Sequence, residues 1–253
     1  MNTVHVGPAL GVLIAALALS TAGIIWISGV GRPRQMLYAS ARAVLQLAAV
    51  SLAIGLVLRS LLLTCLFLLV MIVIASGTAA RRITGSLGRR SWWAAVPIVA
   101  GSVPTMALVL ASTVVPPEPI AVLPILSILI GNAMIATSIA GRRVVEELRA
   151  RRGEYEAALS IGLHRREAAT MIGKPAAALG LLPGIDQAKT VGLVTLPGAF
   201  VGVLLAGASP WQAAAAQILI LIGVLMTQSI AVPTAVELIA RGRLPIGRTA
   251  LPE

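Results

Sequence analysis

Charged, aromatic and metal-binding side chains are scarce in this sequence. Of its 253 residues only 11% are charged and 3% are aromatic, whereas 58% are hydrophobic. A soluble domain typically carries about 25% charged residues and cannot bury so large an apolar fraction. The single cysteine, Cys65, excludes a disulfide framework and a cysteine-based zinc site, and the two histidines, His5 and His164, are far apart in sequence. The composition therefore predicts an integral membrane protein.

Motifs of catalysis and nucleotide binding are also missing. No G-x-x-x-x-G-K-[ST] run occurs, and the pair Gly173-Lys174 is followed by Pro175, so no segment of the sequence is built to cradle the phosphates of ATP. The apolar runs supply no Ser-His pair, no aspartate dyad and no HExxH helix. We therefore predict that the chain is not an enzyme and binds no cofactor of its own.

The net charge of +11 is the one strong excess in the composition. A nucleic-acid-binding protein would present such charge on a soluble face, together with aromatic or groove-reading elements. Here the basic residues stand in short clusters between long apolar runs, which is the pattern of a membrane protein. The sequence therefore predicts a lipid bilayer, and not nucleic acid, as the partner of these charges.

The apolar runs predict an all-α membrane protein with about seven transmembrane helices. A bilayer core about 30 Å thick requires roughly 20 apolar residues of helix. Seven segments approach or exceed that length: 8–30, 36–58, 61–80, 94–115, 120–140, 190–206 and 213–240. The sixth is the shortest, and an earlier start near Ala176 is an alternative. We predict one multi-pass domain, residues 1–253, in the cell membrane.

Lysine and arginine are distributed very unequally between alternate loops. One side holds 18 of them and the other holds Arg59 alone, with Arg42 inside the second span. The 18 are Arg32, Arg34, Arg81, Arg82, Arg89, Arg90, Arg142, Arg143, Arg149, Arg151, Arg152, Arg165, Arg166, Lys174, Lys189, Arg241, Arg243 and Arg248. Because basic loops remain in the cytoplasm, the N-terminus is predicted outside and the C-terminus in the cytoplasm.

The large predicted cytoplasmic loop, residues 141–189, carries the most informative motif. Glu156-Ala157-Ala158, then three residues and Gly162, then nine residues and Ile172-Gly173-Lys174-Pro175, resembles the cytoplasmic-loop signature of ATP-binding cassette (ABC) permeases. Six of the seven specified positions agree, and Lys174 replaces the usual leucine. Gly162 suits a bend with positive φ between two short helices. The resemblance implies that Glu156, Ala157, Ala158 and Gly162 dock on a separate ATPase subunit.

Further segments resemble a narrower permease family, typified by the bacterial iron exporter FetB and including plant relatives linked to aluminium tolerance. The matching segments are 42–47, 131–134, 186–198 and 205–207. The resemblance implies a permease subunit that pairs with a second copy of itself. ATP is then used by two separate ATPase subunits.

Polar residues inside or beside the spans are candidates for the substrate path, because polar groups there are costly and are often functional. They are Arg42, Gln46, Asn132, Met134, Asp186, Lys189 and Thr190. Gln217, Thr227 and Gln228 in the last span add oxygen and nitrogen ligands. Gly198, Gly202 and Ala206 form a small-residue stripe suited to helix packing within or between subunits.

The substrate remains open at the level of sequence. The resemblance favours export of iron or a related metal, although no set of metal ligands can be assigned. Ala199-Phe200 stands where iron-exporting members tend to carry two methionines, whose thioethers suit transition metals. An organic solute such as a nucleotide sugar is therefore an alternative, as is a stand-alone secondary transporter.

Overall fold

The fold is helical throughout the part of the chain that the structure, a computed structural model, describes: residues 7–244. Its helices are α1 (Pro8–Ser28), α2 (Pro33–Val57), α3 (Leu61–Thr84), α4 (Ala95–Ala111), α5 (Pro119–Ala150), α6 (Arg152–Ser160), α7 (Arg165–Ala177), α8 (Leu182–Thr190), α9 (Gly198–Leu205) and α10 (Pro210–Ala240). Two 3₁₀ segments, Arg89–Ala94 and Ala178–Gly180, precede α4 and α8. Within residues 7–244 there is no strand, so the predicted fold class is confirmed; His5 and Arg248 lie outside these residues.

Local sequence signals set many of the helix ends. Proline occupies the first turn of α1, α2, α5 and α10, where its missing N–H costs no helical hydrogen bond. At the start of α10, the Ser209 hydroxyl accepts from the Gln212 N–H, and the Gln212 side chain accepts from the Ser209 N–H. Gly85 ends α3 in the left-handed conformation that glycine adopts readily.

Seven helical segments in this range are long and apolar enough to cross a membrane. Six of them coincide with predicted spans, five within about five residues, while the fifth continues to Ala150, ten residues beyond its predicted end. The predicted sixth span, 190–206, is wrong, because residues 191–197 form a turn and α9 has only eight residues. The segment that replaces it is Arg165–Thr190, made of α7, a 3₁₀ turn and α8 in succession.

The contacts divide the chain into two compact units, Met1–Arg59 and Ser60–Glu253. The first unit contains α1 and α2, which pack on each other and otherwise leave most of their side chains exposed. In the second unit α5 and α10 pack together at the centre, with α3, α4 and α7 around them. α9 contacts α10 and buries none of its own residues.

Glycines let the central helices approach closely. A Cβ on Gly101 of α4 would lie 2.5 Å from the carbonyl oxygen of Thr227 in α10. A Cβ on Gly141 of α5 would lie 2.6 Å from Cδ1 of Ile83 in α3. Small residues at helix interfaces are typical of membrane bundles, where van der Waals packing holds the helices together.

Candidate functional site

The bend predicted at Gly162 is present. Residues 161–164 link α6 to α7, and Gly162 has a φ of +96°. The Gly162 N–H donates to the Leu159 carbonyl, and the Leu163 N–H donates to the Ala158 carbonyl. This pattern is a Schellman motif, which ends a helix and needs a left-handed residue at this position. We call residues 152–164 the α6 knob.

The four predicted docking residues differ in exposure. Glu156, Ala157 and Gly162 are exposed, whereas Ala158 is only 4% exposed. α6 packs against α5 and α7 within the same chain, so Ala158 belongs to that internal contact. Glu156 accepts a hydrogen bond from Arg152 at 2.8 Å, with about half of each side chain exposed. The surface open to a partner therefore consists of Glu156, Ala157 and the glycine bend.

A cluster of ion pairs lies where α5 meets α6. Arg151 pairs with Glu147 and, through two hydrogen bonds, with Glu154. These hydrogen bonds from Arg151 hold the pKa of the Glu154 carboxyl below its usual range. Burial raises the pKa of Tyr155, a buried residue of α6. The knob is thus attached to the end of α5 by both charge and packing.

An ion pair that the sequence analysis missed joins α7 to α10. Arg166 donates two hydrogen bonds to Glu237, from Nε to Oε1 at 2.6 Å and from Nη2 to Oε2 at 3.0 Å. Arg241 donates to the same carboxylate at 2.5 Å. Because Arg166 and Glu237 are 71 residues apart, no local pattern indicates their contact. The helix that follows the knob is therefore tied directly to a central helix.

The rest of the segment 165–190 lies closely against α5 and α10. A Cβ on Gly173 would lie 2.7 Å from Cγ1 of Val144, and one on Gly180 would lie 2.8 Å from the Ala136 carbonyl oxygen. A Cβ on Gly184 would overlap the side-chain amide of Gln228. The glycines thus seat one segment against both central helices.

Five side chains contain buried polar atoms with no hydrogen-bond partner among the described residues. They are Thr137 on α5, Thr170 on α7, and Gln217, Thr227 and Gln228 on α10. Gln228 is fully buried, and both polar atoms of its amide are unpartnered. A buried unpaired polar group costs about 1–3 kcal/mol. Such groups in a membrane bundle are candidates for transient contact with substrate or water.

Of the seven predicted substrate-path residues, two belong to the first unit and five to the second. Arg42 and Gln46 are exposed on α2, and Asn132 and Met134 are half-buried on α5. The Asn132 amide donates to the Ile128 carbonyl in its own helix at 2.9 Å. On α8, Asp186 and Lys189 are exposed and form no ion pair with each other, and the Thr190 hydroxyl donates to the Asp186 carbonyl. Their roles stay predictions.

The predicted small-residue stripe is exposed in the part of the chain that the structure describes. Gly198, Gly202 and Ala206 are all exposed, and a Cβ on either glycine would meet nothing within 4 Å. The packing role of this stripe, within or between subunits, stays a prediction. No group of three or more His, Cys, Asp or Glu side chains suited to a metal occurs in residues 7–244.

Comparison with known proteins gives one family. The family described as "Uncharacterised protein family (UPF0014)" matches residues 10–243. The chain is 36% identical to the UPF0014 membrane protein STAR2 of Oryza sativa subsp. japonica, over 84% of this chain and 73% of the rice protein. It is 31% identical to the protein ALUMINUM SENSITIVE 3 of Arabidopsis thaliana, over 84% of this chain and 77% of that one.

A bacterial relative is similar over a shorter stretch. The chain is 32% identical to the "Probable iron export permease protein FetB" of Escherichia coli, over 53% of this chain and 52% of that protein. No solved structure matches the chain.

Proposed function

Because this chain is a multi-pass membrane protein that belongs to the UPF0014 family, we propose that it is the permease subunit of an ABC transporter in the cell membrane. Two copies of the chain pair with each other and with two separate ATPase subunits. The transported substrate is iron or a related metal ion, exported from the cytoplasm. The relative named as a probable iron export permease supports this substrate class.

The observation that carries the proposal is the continuity of the segment from the α6 knob to Gln228. At its first end, the knob exposes Glu156 and the bend at Gly162, the two features to which a partner subunit can dock. Beyond the bend, α7 is held to α10 by Arg166 and Glu237. Further along, Gly184 of α8 covers the buried amide of Gln228. One segment therefore links a docking surface with an unpartnered polar group.

The proposed mechanism follows from this continuity. When the ATPase subunits close on ATP, they displace the α6 knob, and the short link at Gly162 passes the motion to α7. Because α7 and α8 form one nearly continuous segment, α8 moves with it and uncovers Gln228. Amide and hydroxyl oxygens suit hard or borderline cations, and an unpartnered amide holds such an ion only weakly. A transporter needs such weak binding, because the ion must leave again.

The ATPase interface is tested by two substitutions in the α6 knob. Glu156→Lys reverses a docking charge, and loss of such a charge contact costs about 2 kcal/mol or more, which weakens ATPase binding about 30-fold. Gly162→Val puts a β-branched residue at positive φ and distorts the bend. Both should reduce co-purification with the ATPase and its stimulated ATP hydrolysis. Gly153→Val is the matched control, since a Cβ there meets nothing within 4 Å and needs no left-handed backbone.

Full complex formation and ATPase stimulation by both knob variants would overturn the ABC assignment. If the Gly153→Val control also lost complex formation and ATPase stimulation, substitutions in this region would disrupt the protein generally. The Glu156→Lys and Gly162→Val results would then not support a docking role for the knob.

The substrate path is tested at Gln228. Gln228→Leu removes an unpartnered buried amide, so the protein should become equally or more stable, by up to about 3 kcal/mol. Iron export, measured as cellular iron content in cells that express the chain and its ATPase, should nevertheless be lost. Gln187→Leu, at an exposed position of α8, should change neither property. Asn132→Leu tests the half-buried α5 amide in the same assay.

An organic solute such as a nucleotide sugar is the second candidate substrate. Two observations favour it. Ala199-Phe200 stands where iron-exporting members tend to carry two methionines, and residues 7–244 contain no cluster of His, Cys, Asp or Glu side chains. Unchanged cellular iron, together with ATP-dependent flux of an organic solute that Gln228→Leu abolishes, would assign this substrate class instead.

A further inference from the structure

A groove of about 500 Å³ lies between α7 and α10 in the second unit. One end is polar and is lined by Arg166, Thr170, Lys174 and Glu237. The other end is mainly apolar: it is lined by side chains such as Leu181 and Val232, and also by Ser229. The groove is therefore amphipathic along its length, with charge at one end only.

Positive charge exceeds negative charge at the polar end. Glu237 is the one carboxylate that lines the groove, and it already accepts hydrogen bonds from both Arg166 and Arg241. Lys174 has no ion-pair partner among residues 7–244. Thr170 lies one turn from each of the two lining cations, and its hydroxyl has no hydrogen-bond partner there. This end thus offers an unneutralised ammonium group, whereas the Thr170 hydroxyl oxygen is buried beneath the surface of the groove.

Lys174 is an unusual residue for its location. It lies inside the apolar segment Arg165–Thr190, nine residues from its start, which is about 13 Å along a helix. A charge within a membrane span is costly unless it is paired or reaches the interface. The four-carbon stem of lysine lets the ammonium reach toward the membrane surface while the stem stays among apolar groups. The Lys174 side chain then extends along the groove toward Arg166 and the predicted cytoplasmic face.

We propose that this groove binds an anionic phospholipid from the cytoplasmic leaflet. The phosphate lies between Lys174 and Arg166, where it neutralises the lysine. An acyl chain lies along the apolar end, against Leu181 and Val232. A soluble phosphate would satisfy the polar end alone, whereas a phospholipid matches both ends of the groove. Basic pockets between helices on the cytoplasmic side are suited to acidic headgroups.

The test compares lipids on the purified full-length protein by native mass spectrometry. Phosphatidylglycerol and phosphatidylcholine of equal chain length are titrated separately. We expect phosphatidylglycerol to bind about fivefold more tightly, the effect of one lysine near an anionic headgroup. Lys174→Met should abolish this preference, and Lys174→Arg should retain it. The matched control is Lys189→Met, which removes the chain's other lysine from α8 and should leave the preference unchanged.

Three outcomes would overturn the proposal. The first is a Lys174→Met variant with an unchanged preference for phosphatidylglycerol. The second is displacement of the bound lipid by glycerol 3-phosphate at similar concentration, which would assign a soluble phosphate as the ligand. The third is a cysteine at position 174 that cross-links to a second copy of the chain in a Cys65→Ser background, which would assign the groove to the subunit interface.

Discussion

The surroundings of three helical glycines predict that replacement by alanine has a different effect at each of them. At Gly101 the added Cβ meets the backbone of α10, 2.5 Å from the Thr227 carbonyl oxygen. At Gly141 it meets the side chain of Ile83, 2.6 Å from Cδ1. At Gly131, on the same helix as Gly141, it meets nothing within 4 Å. The three sites thus separate a backbone clash, a side-chain clash and open space.

The sizes of the effects follow from these contacts. Ordinary contact begins near 3.4 Å, so the Cβ at position 101 falls about 0.9 Å short of it and forces α4 and α10 apart. Such overpacking costs about 3 kcal/mol at the upper end, and the higher helix propensity of alanine returns about 1. We expect a net loss of about 2 kcal/mol for Gly101→Ala. At position 131 only the higher helix propensity of alanine matters, so Gly131→Ala should stabilise the protein by up to about 1 kcal/mol.

Gly141→Ala lies between these extremes because Ile83 can change its rotamer. An off-rotamer side chain costs about 0.5–1.5 kcal/mol, which the propensity gain of about 1 kcal/mol nearly cancels. Ile83→Val removes Cδ1, the atom in closest contact, and should therefore be less harmful in the Gly141→Ala background than in the original chain. In the Gly101→Ala background it should have no such effect.

Thermal unfolding of the purified protein in detergent measures all three variants. For a chain of this size about 1 kcal/mol corresponds to about 2–4 °C in Tm. Gly101→Ala should then lower Tm by about 4–8 °C, and Gly131→Ala should raise it slightly. The close approach of α4 and α10 would be refuted if Gly101→Ala were as stable as the original protein. It would also be refuted if Ile83→Val restored stability equally to Gly101→Ala and Gly141→Ala.

Three further predictions concern the knob and its connection. Glu237→Gln weakens the contact with Arg166. Because the side chains of Glu237 and Arg166 are 30% and 57% exposed, Tm should change little. Transport per ATP hydrolysed should fall, and unchanged coupling would show that the ion pair transmits nothing. Gly162→Val should leave membrane insertion intact in fractionation, since a Cβ there meets open space and only its φ is strained. The pKa of Glu154 is lower in the folded state than in the unfolded state. Its contact with Arg151 should therefore persist through the pH range in which glutamate usually titrates, and be lost only as pH falls through the lowered pKa. An NMR titration in which the Glu154 carboxyl titrates at the usual pH would contradict this.

Length and hydropathy were sufficient to predict six of the seven spans. Each of these six contains a long, predominantly apolar stretch, and proline or serine marks several of their starts, as at Pro119 and Ser209. The bend at Gly162 was also predictable, because the spacing of the loop signature places a glycine between two short helical patterns. Local chemistry determines both features, so a single sequence contains the information.

Contacts between distant segments were not predictable in the same way. Glu237 alone indicates a solvated carboxylate near the membrane surface, since its partner Arg166 is 71 residues away. That the amide of Gln228 lacks a partner is likewise evident only from the structure, in which Gly184 lies over it. A glutamine in an apolar helix has many ways to find a partner, and only the packing of α8 on α10 shows that it has none within the described chain. Tertiary packing, which no local pattern encodes, decides both.

The sixth span gives the last prediction, because hydropathy and helix length point to different segments. Residues 190–206 are the more apolar, but Gly192 at a φ of +80° and the following turn leave α9 with eight residues, about 12 Å of helix. The segment Arg165–Thr190 is the least apolar of the seven, yet its 26 residues are long enough to cross. If this segment crosses with the predicted orientation, Lys189 is expected at its outer end. The 18-to-1 charge asymmetry becomes 16 to 2, since Lys174 moves into the span and Lys189 joins Arg59, and the predicted orientation is unchanged.

Cysteine labelling separates the two placements of this span. In a Cys65→Ser background, a cysteine at position 189 should react with a membrane-impermeant maleimide from outside intact cells, as should one at Trp211. A cysteine at Gly153, in the α6 knob, should react only after the membrane is opened. If position 189 is protected in intact cells while Trp211 is labelled, the segment Arg165–Thr190 does not cross the membrane, and Gln228 is not covered by a helix that the knob can move. The proposed path from the ATPase to the buried amide depends on that crossing, because a cytoplasmic α8 has no access to the middle of α10.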